Sequence, residues 1–463
     1  MNTPSGGLDK IREVYFIGIG GIGMSAIARY FHSKGVKVSG YDKTATALTK
    51  ELEASGIRIH YEDNVDLVPK EVDLVVYTPA IPKTHQELRY YQEQGAKVVK
   101  RSDVLQIISE SSFNICVAGT HGKTTVTTMV AHLLRDSGFG CNAFLGGIST
   151  NYGTNFWSDP KNVCVIEADE YDRSFLKLSP DVAIITAMDA DHLDIYGTAE
   201  SVEQAFIDFS KRVKAGGTLI RHLGLKRGNE LKGKEQLTYS LANEAADIYA
   251  SNIKMKDGTF VFDVNVKSNR LEKVRLNMGG MHNIENVIAA IAVASSLGIE
   301  NEKIKAGVES FRGVKRRFEY IVKNESMVYI DDYAHHPEEL RPLIEGAKAL
   351  FAGRKCTIIF QPHLFTRTRD FADGFAEVLD TADEVILLPI YPARELPIEG
   401  VNSRMILDKM KRTKGRLMDK VEVLEWLRND QRLKTGREPG NILITAGAGD
   451  IDTLVQKIKE IIG

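Results

Sequence analysis

The sequence predicts an α/β protein of three successive domains, each built on a largely parallel sheet with helices on both faces. Three observations carry that reading. Short apolar runs of strand character alternate with helix-periodic stretches along most of the chain. Glycine-rich turns stand at two strand-to-helix junctions, Gly18-Ile19-Gly20-Gly21-Ile22-Gly23 and Gly119-Thr120-His121-Gly122-Lys123. A chain of 463 residues is long enough for about three domains.

The first block, residues 1–109, carries strand patterns at Val14–Ile19, Val36–Tyr41, Ile57–His60, Val72–Thr78 and Ala96–Val99, each followed by a helical stretch or a turn. Short strands spaced by helices read as a parallel sheet. The second block, 110–313, opens on the strand Phe113–Ala118 and continues with Val163–Ile166 and Val182–Thr186. Within it, Gln236 to Asn277 is more polar and alternates as antiparallel strands do, and a helix pattern follows from Asn283 to Leu297. The third block, 314–463, returns to βα alternation with strands at Met327–Ile330, Thr357–Phe360, Glu384–Pro389 and Asn441–Thr445. Lys409 to Arg437 is rich in bases and in acids alike, which suits a solvated helical face better than a binding patch.

Composition narrows the function classes. Sixty Lys and Arg against 62 Asp and Glu leave a formal net charge of -2, which favours neither nucleic acid nor membrane as the main partner. No apolar run approaches a membrane span, and the opening Met1-Asn2-Thr3-Pro4-Ser5-Gly6-Gly7 reads as a frayed tail without a basic head. The four cysteines lack metal-ligand spacing, and Cys116 and Cys164 fall inside strand patterns, so buried thiols and a cytoplasmic setting are expected.

The chemistry begins at Val117-Ala118-Gly119-Thr120-His121-Gly122-Lys123-Thr124-Thr125. A glycine loop between strand and helix that closes on Gly-Lys-Thr cradles phosphate. Backbone N–H groups face the anion, Lys123 reaches the terminal phosphates and the Thr124 hydroxyl is a ligand for Mg²⁺. Val117 stands where the full Walker pattern has its first glycine. ATP is the expected nucleotide. Gly18, Gly20, Gly21, Gly23, Met24 and Ser25 form a second loop after a strand, and Asp42 follows about 20 residues on, where an acid commonly meets a ribose hydroxyl. Spacing alone leaves this loop open between a dinucleotide and another diphosphate such as a nucleotide sugar. Glu167 ends a strand beside the phosphate loop and is the first choice for holding the metal, with Asp169 and Glu170 left open between that role and solvated loop acids. His192, within Asp189-Ala190-Asp191-His192-Leu193-Asp194, is a second metal ligand or a proton acceptor. His282 and Asn286 are four apart and share a helix face suited to an adenine edge, with Asn283 as the helix cap. In the third block, four strand ends carry Asp331-Asp332-Tyr333-Ala334-His335-His336, Gln361-Pro362-His363 to Arg369, Tyr391-Pro392-Ala393-Arg394 and Ala446-Gly447-Ala448-Gly449-Asp450. Such a cluster suggests one functional rim.

These segments together resemble the Mur ligase family, the ATP-dependent amide-forming enzymes of peptidoglycan precursor synthesis, over nearly the whole length. The short loop with an internal histidine, Gly119 to Thr125, matches that family's phosphate loop and accounts for the missing Walker glycine. The resemblance implies a Rossmann-like N-terminal domain, a central P-loop ATPase-type α/β domain and a Rossmann-like C-terminal domain. It is most specific for the members that join L-alanine to the lactyl carboxylate of UDP-N-acetylmuramate through an acyl phosphate, using ATP and Mg²⁺. On it, Lys123, Glu167 and His192 serve catalysis, with Thr124, Glu167 and His192 at the metal. Gly119, Thr120, His121, Gly122, Lys123, Thr124, Thr125, His282, Asn286, Arg317 and Asp332 hold ATP, and Gly18 to Ser25 with Asp42 hold the UDP-sugar. His336, His363 and Arg367 hold the amino-acid carboxylate. Tyr171 stands where the family usually has serine, Ala187 where it commonly has asparagine, and Leu364 where some members have arginine. The resemblance implies small-molecule partners only, in a monomer or homodimer. The competing readings are the related ligase that recycles murein tripeptide onto UDP-N-acetylmuramate, an NAD-dependent oxidoreductase, and an ATP-gated regulator that binds UDP-sugars.

Overall fold

A computed structural model describes residues 10–190, 192–256, 258–267, 269–393, 395–413, 415–430 and 440–463. Asp191, Arg394, the opening Met1 to Gly7 and part of the Lys409 to Arg437 stretch lie outside the described residues. Among the described residues the chain forms three sheets. The first contains β1 (Glu13–Ile17), β2 (Lys37–Tyr41), β3 (Arg58–His60), β4 (Leu74–Tyr77) and β5 (Val98–Lys100), in the order β3-β2-β1-β4-β5 and parallel throughout. Successive β1 residues face opposite sides. Val14 and Phe16 pack with Ile27 and Phe31, while Tyr15 and Ile17 pack with Val75, Leu88 and Tyr91. The strand order reverses between β1 and β4, and the Gly18 loop leaves β1 at that switch point, where doubly wound sheets bind ligands.

The second sheet has ten strands. They are β6 (Phe113–Ala118), β7 (Asn142–Ser149), β8 (Thr154–Trp157), β9 (Val163–Glu167), β10 (Val182–Ile185), β11 (Thr218–His222), β12 (Glu235–Ser240), β13 (Ile248–Lys256), β14 (Thr259–Val266) and β15 (Asn269–Leu276). Their order is β15-β14-β13-β12-β11-β10-β6-β9-β7-β8, so β6 runs between β10 and β9 and is parallel to both. β12 is parallel to β11 and to β13, so the polar stretch from Gln236 begins as an extension of the parallel sheet rather than as an antiparallel meander. Alternation reports that one face is solvated, not which way a strand runs.

The third sheet contains β16 (Glu319–Lys323), β17 (Met327–Asp332), β18 (Lys355–Phe360), β19 (Glu384–Leu387), β20 (Gly415–Leu417) and β21 (Asn441–Ala446). Its order is β16-β17-β21-β18-β19-β20, parallel except for the antiparallel edge strand β16. Met327, Tyr329, Ile359, Ile386 and Leu443 from one face build its core with Val423, Leu427, Leu454 and Ile458. By packing, the chain divides into two compact units. One runs up to Ser251 and includes Asp263–Val274 and Glu285–Phe311; the other holds Asn252–Phe262, Arg275–Ile284 and Arg312–Gly463. No helix among the described residues is long and apolar enough to cross a membrane. Cys116, Cys141, Cys164 and Cys356 are buried free thiols.

Candidate active site

The phosphate loop leaves the end of β6 and turns into the helix Lys123–Asp136. Two of its glycines are sterically required. Gly119 has φ +143°, and a Cβ there would lie 2.0 Å from Thr186 Oγ1. Gly122, the residue before the helix, has φ +79°, and its Cβ would lie 2.8 Å from Asn286 Oδ1. Asn286 therefore sits directly beside the loop. Thr120 is buried and tied down on both sides: its N–H donates to Ala187 O (3.2 Å) and its hydroxyl accepts from Asp189 N (3.2 Å). The first-turn N–H groups of Lys123, Thr124 and Thr125 have no partner within the helix, which makes this end a cradle for an anion. His121 is exposed at the loop tip, 3.7 Å from Asp189.

Two acids, Glu167 and Glu170, face the loop, and they are not equivalent. Glu167 ends β9, which pairs with β6 through Val117↔Glu167. Its Oε1 accepts from the Thr124 hydroxyl (3.0 Å) and its Oε2 from Gly146 N (3.0 Å). Burial raises its pKa, and the charge of Lys123 works against that rise. Glu170, which the sequence leaves open between a site acid and a solvated loop acid, is fully buried. Its Oε1 lies 2.7 Å from Lys123 Nζ and 3.7 Å from His192 Nε2, and burial raises its pKa against the pull of Lys123. Its Oε2 is buried with no hydrogen-bond partner among the described residues. Lys123 also donates to Gly119 O (2.7 Å). His192 has φ +52°, and its ring meets Tyr171 edge-on at 5.1 Å. Lys123, Thr124, Glu167 and His192 are thus brought together, with Glu170 as the member that sequence reasoning passed over.

The first-block loop is also braced internally. Gly18 N and Ile19 N donate to Tyr41 O (2.8 and 2.9 Å). Asp42 accepts from Gly20 N (2.8 Å) through one carboxylate oxygen and from Thr44 N (3.2 Å) through the other, so its carboxylate braces the loop. The helix Ile22–Ser33 follows, with Gly21 as its N-cap residue. Met24 is 2% exposed and Ser25 fully buried, the latter donating to Ile22 O (2.9 Å) through its hydroxyl and to Gly21 O (2.8 Å) through its N–H, so both residues shape the loop from within.

In the third sheet β17, β21, β18 and β19 are adjacent and parallel, so their four polar ends share one edge, as the rim expectation required. Asp332 accepts from Phe318 N (2.6 Å) and Ala334 N (2.7 Å), and the Arg317 guanidinium lies 5.5 Å from the Tyr333 ring. His363 stacks on Tyr391 (5.8 Å, 14°) and lies 3.4 Å from Arg367 Nη1. Burial, then the neighbouring His335 and Arg367, push His363 down to about 4, so it is neutral at pH 7. The histidine facing His363 is His335, at 6.0 Å, and not His336. His336 caps the helix Pro337–Leu350, accepting from Glu338 N, and packs on Phe371. The Pro337 that follows is the sequence signal for that role, since proline favours the first helical position. Asn283 is a second departure: its helix starts at Met281, His282 and Asn283 lie in the first turn, and Asn283 Nδ2 donates to Gly279 O (2.6 Å).

Comparison with known proteins covers all three blocks. Residues 13–112 match the model for the Mur ligase family, catalytic domain, residues 117–294 the Mur ligase middle domain, and residues 316–449 the Mur ligase, glutamate ligase domain. A UDP-N-acetylmuramate--L-alanine ligase of Parabacteroides distasonis is 49% identical over 98% of this chain and 98% of its own length. One of Flavobacterium johnsoniae is 46% identical over 98% and 99%. The crystal structure of a UDP-N-acetylmuramate-alanine ligase from Thermotoga maritima is 29% identical and superposes with a TM-score of 0.82 over 97% of this chain and 98% of that one. A murein peptide ligase from Psychrobacter arcticus, at 22% identity and a TM-score of 0.67 over 98% and 99%, shares the fold. With family models matched from residue 13 to residue 449 and relatives near half-identical end to end, the chain belongs to the Mur ligase family.

Proposed function

We propose that this chain is an ATP-dependent ligase that joins L-alanine to the lactyl carboxylate of UDP-N-acetylmuramate, the first amino-acid addition in peptidoglycan precursor synthesis. The observation that carries this reading is end-to-end identity of 46% and 49% to ligases of that name. The reaction transfers the γ-phosphoryl group of ATP to the carboxylate, giving an acyl phosphate and ADP. The amine of L-alanine then attacks the acyl carbon, loses a proton and expels phosphate. In this reading block 1–109 takes the UDP-sugar, 110–313 takes ATP and 314–463 takes the amino acid.

Lys123 lies against the loop that would hold the β- and γ-phosphates, where an ammonium neutralises charge that builds during transfer. Glu170 keeps that ammonium on the loop through its 2.7 Å contact. Among the described residues no three His, Cys, Asp or Glu side chains form a metal cage. Magnesium needs no such cage, because it takes one or two carboxylates and completes its shell with phosphate oxygens and water. The Thr124 hydroxyl and the Glu167 carboxylate, 3.0 Å apart, suit that arrangement, with His192 as a further donor. A bound Mg²⁺ would supply charge neutralisation on the phosphoryl group. Asn286 with His282 takes the adenine edge, and Arg317 with Asp332 the rest of the nucleotide. Arg367 takes the alanine carboxylate by bidentate hydrogen bonds, beside a neutral His363 that adds no competing charge. The buried free thiols suit the cytoplasm, and a monomer or homodimer suffices for a site built from one chain.

Phosphate release from ATP in the presence of Mg²⁺ and UDP-N-acetylmuramate tests the reading. Turnover that requires free L-alanine is expected. Turnover that requires an L-Ala-D-Glu-containing tripeptide instead would assign the recycling reaction, and none with either would refute a ligase.

A further inference from the structure

The Gly18 to Ser25 loop has no cationic side chain of its own, yet the ligand assigned to it is a diphosphate. Arg101, the first residue of the helix Arg101–Ser111, lies against it. A Cβ on Gly23 would stand 2.3 Å from Arg101 Nη1, so only glycine lets the guanidinium rest on the first turn of the helix Ile22–Ser33. The other terminal nitrogen, Nη2, lies 3.4 Å from Asp169 Oδ2, two residues beyond Glu167. Arg101, Gly23, Gly146, Glu167 and Asp169 all line one cavity of about 100 Å³. Side-chain bonds hold its walls in place. Lys177 Nζ grips Ser102 Oγ (3.1 Å) and Asp103 at the start of the Arg101 helix, and Asn155 Nδ2 grips Ile22 O (2.6 Å) and Ser25 Oγ (2.9 Å).

We propose that Arg101 binds the diphosphate of the UDP-sugar, and that Asp169 is a positioning residue that orients its guanidinium. One edge of the fork meets phosphate oxygen while the other stays on the Asp169 carboxylate, a division that a planar guanidinium permits and an ammonium does not. The diphosphate is thereby registered against the wall that carries Glu167, so binding energy from a remote part of the substrate places its reacting end. The proposal rests on the substrate reading given above.

Calorimetric titration of the full chain with UDP and, separately, with UDP-N-acetylmuramate tests it. Arg101→Met is expected to weaken both ligands by a similar factor of about 10 to 100, and Arg101→Lys to restore part of the loss. KM for ATP and for L-alanine should move by less than about twofold, and Asp169→Asn should add nothing further to Arg101→Met in the double variant. Unchanged affinity in Arg101→Met would overturn the proposal. So would a loss confined to UDP-N-acetylmuramate, which would put Arg101 on the lactyl carboxylate. Wild-type protein that binds neither ligand would instead overturn the substrate reading itself.

Discussion

Gly146 is where a single methyl group should stop the chemistry without unfolding the protein. It lies on β7, its N–H donates to Glu167 Oε2 at 3.0 Å, and its backbone is outside the left-handed region, so alanine brings no backbone strain. A Cβ at this position would stand 2.2 Å from Oε2, 2.3 Å from Oε1 and 2.4 Å from Cδ of Glu167. Those separations fall short of van der Waals contact by about 1 Å, and the side chain, not the strand, is the part free to move. The carboxylate must then withdraw from both Gly146 N–H and the Thr124 hydroxyl. Misplacing a positioned group by about 1 Å costs about 100-fold in rate, or about 2.7 kcal/mol of transition-state stabilisation. Gly146→Ala is therefore expected to lower kcat for phosphate release about 100-fold, while KM for the UDP-sugar changes by less than about threefold. Because both changes act on one carboxylate, the double variant with Glu167→Gln should be no slower than Glu167→Gln alone. A folded Gly146→Ala protein with kcat within about threefold of wild type would refute the role assigned to the Glu167 contacts.

Three further outcomes follow from the same geometry. Lys123→Ala should melt within a few degrees of wild type yet lose phosphate release by at least about 10³-fold; retained turnover would remove Lys123 from phosphoryl transfer. Arg367→Ala should raise KM for L-alanine by about 10 to 100-fold with KM for ATP unchanged, and steady-state kinetics with each substrate varied in turn would expose the opposite pattern. Asp331 gives a pH dependence of stability: burial, opposed by Arg316 and the Thr445 hydroxyl, raises it from 3.8 to about 7. The folded chain holds that proton between those values while the unfolded chain has lost it, so this contribution is complete below the lower value and falls away as pH rises through about 7. Asn cannot ionise, so the melting temperature of Asp331→Asn relative to wild type should climb between about pH 4 and pH 7 and then level off. A difference that stays constant with pH would contradict the assignment.

The parallel strands whose ends carry the chemistry were legible because each is a short apolar run closed by glycine or a charged turn, whereas the parallel strands β11 and β20 were not singled out. β7 and β8 escaped notice because Gly146-Gly147 interrupts the first and a polar turn, Thr150 to Gly153, separates the pair, leaving no clean period. The edge strand β16 is partly exposed and has no buried face to betray it. Within the site, Glu167 was readable from its place at a strand end, whereas Glu170 was not. Its burial comes from the turn that folds it back onto Lys123 and from Tyr196, whose hydroxyl holds its backbone carbonyl at 2.6 Å, and no local pattern encodes either. Arg101 was missed for a similar reason, since its neighbours Gly23 and Asp169 lie 78 and 68 positions away in the chain. Adjacent histidines posed the opposite problem: His335 and His336 look alike in sequence, and the proline cap alone separates their roles.

The measurement that reaches the central claim most directly follows isotope through one turnover. UDP-N-acetylmuramate labelled with ¹⁸O in its lactyl carboxylate is incubated with ATP, Mg²⁺ and L-alanine, and both products are weighed by mass spectrometry. Transfer through an acyl phosphate predicts an L-alanyl adduct of the UDP-sugar together with one ¹⁸O in the released phosphate. Unlabelled phosphate, or phosphate released without an L-alanyl adduct, would contradict it.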